Sequence, residues 1–126
     1  MTASDTRGAL TSHVLDTALG QPARDVLIRV EARASGGGAD ASGWTVLGQH
    51  TTDADGRVRD LLGGQRLQAQ TYRLTFETGA YFRAAGRPVF YPRVQVEIDV
   101  DAASAVQHHH IPLLLSPFGY STYRGS

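Results

Sequence analysis

HHHIPLLLSPFGYSTYRGS, residues 108–126, is apolar at alternate positions through its first half. Successive side chains of a strand point to opposite faces. Ile111, Leu113 and Leu115 therefore share one face, which is assigned to a core, and His108, His110, Pro112 and Leu114 share the other. His109 falls with the core set at the start of the strand. Ser116-Pro117-Phe118-Gly119 interrupts the run, and the residues after it resume an extended pattern, so the block reads as two strands and a turn.

The same period of two runs through most of the chain. In DVLIRVEARAS (25–35), Val26, Ile28, Val30 and Ala32 alternate with Leu27, Arg29, Glu31 and Arg33. WTVLGQHTT (44–52) is a second strand, and TYRLTFET (71–78) alternates through Tyr72, Leu74 and Phe76. RVQVEIDV (93–100) sets Val94, Val96, Ile98 and Val100 against Arg93, Gln95, Glu97 and Asp99. RVRDLL (57–62) reads as a short edge strand. Asp55-Gly56 is a tight-turn signal, and SGGGADASG (35–43) reads as a flexible hairpin loop. TGAYFRAAGRP (78–88) is the one expected helix, with Thr78 as its N-cap and Gly86 at its end. Seven or eight short strands and one short helix imply an all-β sandwich. Residues 1–9 read as a flexible leader, and 10–126 as a single domain.

Composition excludes much chemistry. The 126 residues carry 12 basic and 12 acidic side chains, for a net charge of zero, which does not favour a nucleic-acid groove. No apolar run approaches the roughly 20 residues of a membrane helix, and MTASDTRGAL (1–10) lacks the apolar core of a secretory signal. Cysteine and lysine are both absent, which removes thiolate nucleophiles, disulfides and Schiff-base lysines. Gly36-Gly37-Gly38 lacks the lysine and the following helix of a phosphate loop. TDADG (52–56) hints at a calcium loop, but the closing glutamate would fall on Leu62.

Histidines, arginines and hydroxyls remain. In LTSHVLDT (10–17), Val14 faces the core while Thr11, His13 and Leu15 face out. Two strands thus each present a histidine and a leucine on an outer face, and an outward leucine there implies a covering subunit. A surface histidine is ordinarily just solvated. A covered pair could instead hold and deprotonate a water. His108 and His110 share a face and could bind zinc, but two ligands are too few for a closed site. Arg57, after the Asp-Gly turn, offers a fork of donors to a carboxylate or a polarised heterocycle oxygen. His50 has no evident partner and reads as structural. Tyr123-Arg124-Gly125-Ser126 reads as a terminus tucked against a site, although chain ends are ordinarily frayed.

LTSHVLDTALGQPA (10–23), TTDADGR (51–57) and HIPLLLSPFGYSTYRGS (110–126) resemble the three signature stretches of the transthyretin-related 5-hydroxyisourate hydrolase family. The resemblance runs from about Leu10 to Ser126. It implies a transthyretin-like (prealbumin-like) sandwich of two four-stranded sheets with one short α-helix. It also implies a homotetramer, a dimer of dimers with active sites at the dimer–dimer interface. The family's site residues fall on His13, Arg57 and His110, with Tyr123, Arg124, Gly125 and Ser126 completing the substrate pocket. The implied reaction is hydrolysis of 5-hydroxyisourate to 2-oxo-4-hydroxy-4-carboxy-5-ureidoimidazoline in urate breakdown. No cofactor, metal, nucleic acid or membrane is implied; the bacterial cytoplasm is the expected place, read from the missing targeting signal and the all-arginine basic set rather than from the resemblance. The alternative is a non-catalytic, hormone-type carrier on the same fold, which would lack the His13, Arg57, His110 and YRGS set. Residues 34–43 form a longer glycine-rich insertion than the family pattern, and His109 stands where an aromatic residue is usual.

Overall fold

The computed structural model describes residues 8–33 and 43–126. The loop expected at 35–43, apart from Gly43, and most of the expected leader lie outside the described residues. Of that leader, Gly8 and Ala9 are described. The Gly8 N–H donates to the Arg59 carbonyl at 2.7 Å, and the His109 N–H donates to the Ala9 carbonyl at 2.9 Å.

The alternating stretches form strands in two sheets. One sheet holds β1 (Leu10–Asp16), β2 (Gln21–Pro22), β5 (Arg57–Val58), β8 (His109–Ser116) and β9 (Gly119–Thr122). Its order is β2-β1-β8-β9, with β5 also on β1. The other holds β3 (Leu27–Arg33), β4 (Thr45–Thr51), β6 (Gln70–Phe76) and β7 (Val94–Val100), in the order β4-β3-β6-β7. β1 and β8 run parallel, and every other ladder is antiparallel. Since β8 occupies one edge of β1, β2 and β5 share its other edge, at Leu15–Asp16 and Ser12–His13. The fourth strand of this sheet is thus broken in two, and β2 had no period-two signal to announce it.

The core lies between the sheets. Leu10, Val14, Ile111, Leu113 and Leu115 meet Ile28, Val30, Tyr72, Leu74 and Phe76, all buried. Parity fails to foresee burial at several outer-face positions, Thr71, Thr75 and Pro112 among them. Glu31 is buried because the Arg73 Nε and Nη2 both reach its carboxylate at 2.9 Å. Thr11 is buried beneath two histidines.

Two expectations are corrected. RVRDLL is a strand only at Arg57–Val58. Asp60 Oδ1 accepts the Leu62 N–H at 3.2 Å, turning the chain so that Leu61 and Leu62 bury. Helix α1 (Thr78–Ala84) begins at Thr78 rather than being capped by it. Thr78 is buried, and its hydroxyl donates to the Tyr91 carbonyl at 3.4 Å. The expected end at Gly86 holds. The Gly86 N–H returns to Arg83 and the Arg87 N–H to Phe82, a Schellman closure that delivers Arg87 to Asp16 of β1.

Asp16 sits at the end of β1 with its side chain fully buried. Arg87 clamps it with bonds of 2.6 and 3.2 Å, Tyr81 donates at 2.7 Å, and the Ala18 and Leu19 N–H groups each donate at 3.1 Å. Burial and the neighbouring Asp16 charge push the Tyr81 phenol up to about 12. This cluster ties the helix to the strand that carries His13.

Candidate active site

The turn DADGR is built by its own residues. Asp53 Oδ1 accepts the N–H groups of Asp55 and Arg57 at 2.9 and 3.0 Å, and the Gly56 N–H donates to the Asp53 carbonyl at 2.9 Å. Gly56 has φ +75°, and a Cβ there would strike the Val14 carbonyl of β1. Only glycine combines that conformation with so close an approach. The turn sets Arg57 opposite His13 in the ladder. Among the described residues, no carboxylate pairs with the Arg57 guanidinium, whereas its neighbour Arg59 engages Asp53 and Asp55 at 3.8 and 3.4 Å.

The parallel pairing of β1 and β8 aligns Thr11 with His110, His13 with Pro112, and Leu15 with Leu114. The outer face therefore reads, row by row, Thr11–His110, then Arg57–His13–Pro112, then Leu15–Leu114. His13 lies about 7 Å along β1 from Thr11. Both leucines are half-buried there.

His13 Nε2 donates to the Asp55 carbonyl at 2.9 Å. A carbonyl only accepts, so Nε2 holds the proton of the neutral ring and Nδ1 the lone pair. Burial and then the Arg57 charge lower the His13 pKa below its ordinary 6.5, against the opposing pull of Asp55 and Asp53. His13 is therefore a neutral base near pH 7. Replacing Arg57 with glutamine removes one of the lowering causes, so the His13 titration midpoint should rise. A proton-NMR titration of the His13 ring checks this, and an unmoved midpoint would remove Arg57 from its electrostatics.

Thr11 Oγ1 lies 2.7 Å from His110 Nδ1 and 3.1 Å from His108 Nε2. The two rings are nearly parallel, 6.4 Å apart at 16°. His108 and His110 share a face, as expected. No group of three or more metal-ligating side chains occurs among the described residues, and Thr11 stands between the two imidazoles. His109 is buried on the core side, bonded to the Gln107 carbonyl at 3.0 Å. His50 bonds the Leu61 carbonyl at 3.0 Å, a structural partner that the sequence did not disclose.

The chain end returns to β8. The Gly125 N–H donates to the His110 carbonyl at 2.8 Å in an isolated antiparallel bridge. Counting back along the β8–β9 register places Tyr123 opposite Pro112, which has no N–H to give. The ladder lapses there and resumes at Gly125. A Cβ on Gly125 would lie 2.5 Å from His110 Cδ2 and 3.1 Å from Pro112 Cγ, so the terminus packs directly on the imidazole.

These elements enclose a cleft of about 70 Å³, lined by Thr11, Ser12, Arg57, Val58, Arg59, His108, His110 and Ser126. Of the terminal residues expected at the site, Ser126 enters the cleft and Gly125 supports it. Tyr123 is exposed. Arg124 bonds Gln107 Oε1 at 2.9 Å and lines a groove with Ile98, His109 and Ile111 between the two sheets. His13 stands just outside the cleft wall. A roomier hollow of about 480 Å³ lies beyond His108, lined by Gly8, Arg66, Leu67, Val106 and Gln107 among others. His108 is its sole base, so the cleft is the better seat for chemistry. Thr11 and Arg59 were not weighed as site residues, and His108 was weighed only as a zinc ligand. Outward parity marked Thr11, but its place beside His110 depends on the β1–β8 pairing.

A carbonyl held by Arg57 beside two imidazoles is an arrangement suited to water attack on an amide. Comparison with known proteins points the same way. The HIUase/Transthyretin family model matches residues 10–125. The chain is 46% identical over 119 residues to 5-hydroxyisourate hydrolase of Caulobacter vibrioides, covering 93% of this chain and 97% of that one. Its fold is similar to that of Klebsiella pneumoniae 5-hydroxyisourate hydrolase, with a TM-score of 0.74, 36% identity, and 93% and 92% of the two chains covered. It is also similar to sea bream transthyretin solved in complex with thyroxine, with a TM-score of 0.80, 32% identity, and 93% and 94% covered. A catalyst and a binder are thus alike in backbone, and the residues on the outer face must tell them apart. The match of motifs, sheets and whole-chain sequence shows that this chain belongs to the HIUase/Transthyretin family.

Proposed function

We propose that this chain hydrolyses 5-hydroxyisourate to 2-oxo-4-hydroxy-4-carboxy-5-ureidoimidazoline in urate breakdown. The observation that carries the reading is the convergence of His110, Arg57 and Ser126 on one cleft beside His13. His13 and His110 position a water and take its proton as the oxygen attacks the ring carbonyl. Arg57 holds the growing oxyanion. The ring C–N bond then breaks, and a histidine returns the proton to the leaving nitrogen. Ser126 serves as a hydrogen-bond donor, with Tyr123 and Arg124 completing the pocket on assembly. No covalent nucleophile, metal or cofactor takes part.

The cleft of about 70 Å³ is far below the roughly 300–1,000 Å³ of ordinary ligand pockets. A second copy must supply the missing wall. The half-buried Leu15 and Leu114 on the same face support a homotetramer, a dimer of dimers with the site at the dimer–dimer interface. No helix among the described residues is long and apolar enough to cross a membrane. The bacterial cytoplasm is the proposed setting, and the Caulobacter relative supports the bacterial part. A hormone-type carrier would need neither the paired histidines nor an Arg57 guanidinium that no carboxylate engages among the described residues.

The test is to generate 5-hydroxyisourate in place with a urate-oxidising enzyme and to follow its ultraviolet decay. Acceleration over the spontaneous decay supports hydrolysis. A well-folded tetramer that leaves the decay unchanged overturns it. Gly125→Ala should lower turnover about 100-fold, since a 1 Å misplacement of a catalytic group has that scale of effect. Thermal melting should change little, because the atoms nearest the added methyl group are those of the His110 ring and Pro112 on the outer face, away from the core. Wild-type turnover in this variant would remove the terminus from the support of His110.

A further inference from the structure

We propose that His108 acts through Thr11 as a positioning residue that fixes the tautomer of His110, with the proton on Nδ1 and Nε2 as the basic nitrogen. The inference rests on the reading of His110 as a base and goes beyond it to what makes it one.

The direction of the chain of bonds follows from what each group can do. His108 Nδ1 lies 3.0 Å from the Gly8 carbonyl, which only accepts, so Nδ1 donates. A neutral imidazole has one N–H, so His108 Nε2 accepts. Its partner at 3.1 Å is Thr11 Oγ1, whose single proton is thereby committed to His108. At 2.7 Å from His110 Nδ1, the same oxygen can only accept, and His110 Nδ1 must donate. The neutral His110 ring then keeps its lone pair on Nε2. Reversing the chain would require protons on both His108 nitrogens. That would place another cation on the cleft wall with Arg57 and Arg59, where no Asp or Glu side chain lines the cleft among the described residues. Thr11 is 4% exposed, so water competes little for its hydroxyl. The near-parallel stacking of the two rings at 6.4 Å keeps both nitrogens aimed at the one oxygen. A histidine oriented by a second group is a recurrent device in hydrolytic sites, and the wrong tautomer there abolishes most of the rate.

Four substitutions and one spectroscopic measurement test this. Nitrogen NMR of the histidine rings should show His110 as Nδ1–H in the wild-type chain. Thr11→Val, which keeps the branched shape without the hydroxyl, should shift the ring toward Nε2–H. It should also lower kcat roughly tenfold or more with little change in KM. Thr11→Ser should restore both readouts. His108→Gln, whose Oε1 can accept from Thr11, should retain more activity than His108→Ala. A wild-type His110 found as Nε2–H overturns the proposal, as does a Thr11→Val chain with unchanged tautomer or unchanged kcat. If the wild-type chain fails to hydrolyse 5-hydroxyisourate, the functional reading falls. The tautomer measurement needs no activity and still decides the relay.

Discussion

His110→Ala should slow the turnover of 5-hydroxyisourate by about 10²- to 10⁴-fold, the usual loss when one general base is removed. The variant should fold. His110 is half-buried on the outer face, and the core face of β8 is carried by Ile111, Leu113 and Leu115. Truncation removes the bond to Thr11 and the surface on which Gly125 rests. It leaves Arg57 and His13 in their ladder positions. The residual rate then measures what the arginine and the second histidine do by themselves. A direct assay with melting recorded in parallel separates chemistry from stability. A well-folded His110→Ala chain with near-normal turnover would remove His110 from the mechanism.

The second large effect is on stability. Asp16→Asn should destabilise the fold by about 3–5 kcal/mol, the scale for removing one partner of a buried ion pair. For a domain of this size that corresponds to a melting point lower by roughly 10–20 °C. The asparagine keeps the shape but leaves Arg87, itself mostly buried, without its counter-charge. Tyr81 also loses its anionic acceptor. The pH dependence gives an independent check. Burial works to raise the Asp16 pKa, but the donors from Arg87, Tyr81 and the Leu19 N–H outweigh it, and the net shift is below 3.8. A depressed carboxyl stabilises the fold above its unfolded pKa, and this contribution is lost as pH falls through the folded value. The wild-type chain should therefore lose stability below about pH 4, and the asparagine variant should lose less over that window. Denaturant unfolding at pH 7 and pH 3 reads both. Equal pH sensitivity in the two chains would show that Asp16 is not a main source of the acid loss.

Period two assigned the faces of β1, β3, β6, β7 and β8 correctly, because alternation is a property of the extended backbone and needs no partner. It placed His13, His110, Leu15 and Leu114 outward, and the motif spacing marked Arg57. Asp55-Gly56 announced its turn through backbone chemistry local to those residues. Alternation cannot say which strand lies beside which. The parallel pairing of β1 with β8 joins residues 97–99 apart in sequence, and it is selected by burial of the whole sandwich. Thr11 became the link between two imidazoles only through that pairing. The lapse of the ladder at Pro112 and the return of Gly125 to His110 likewise depend on register across the turn. Parity placed Glu31 on the outer face, and only the folded sheet buried it by bringing Arg73 alongside. Local pattern determined the faces and the inventory of chemistry. Long-range packing decided which of those groups meet, because the free energy that selects strand neighbours belongs to the whole core rather than to any one stretch.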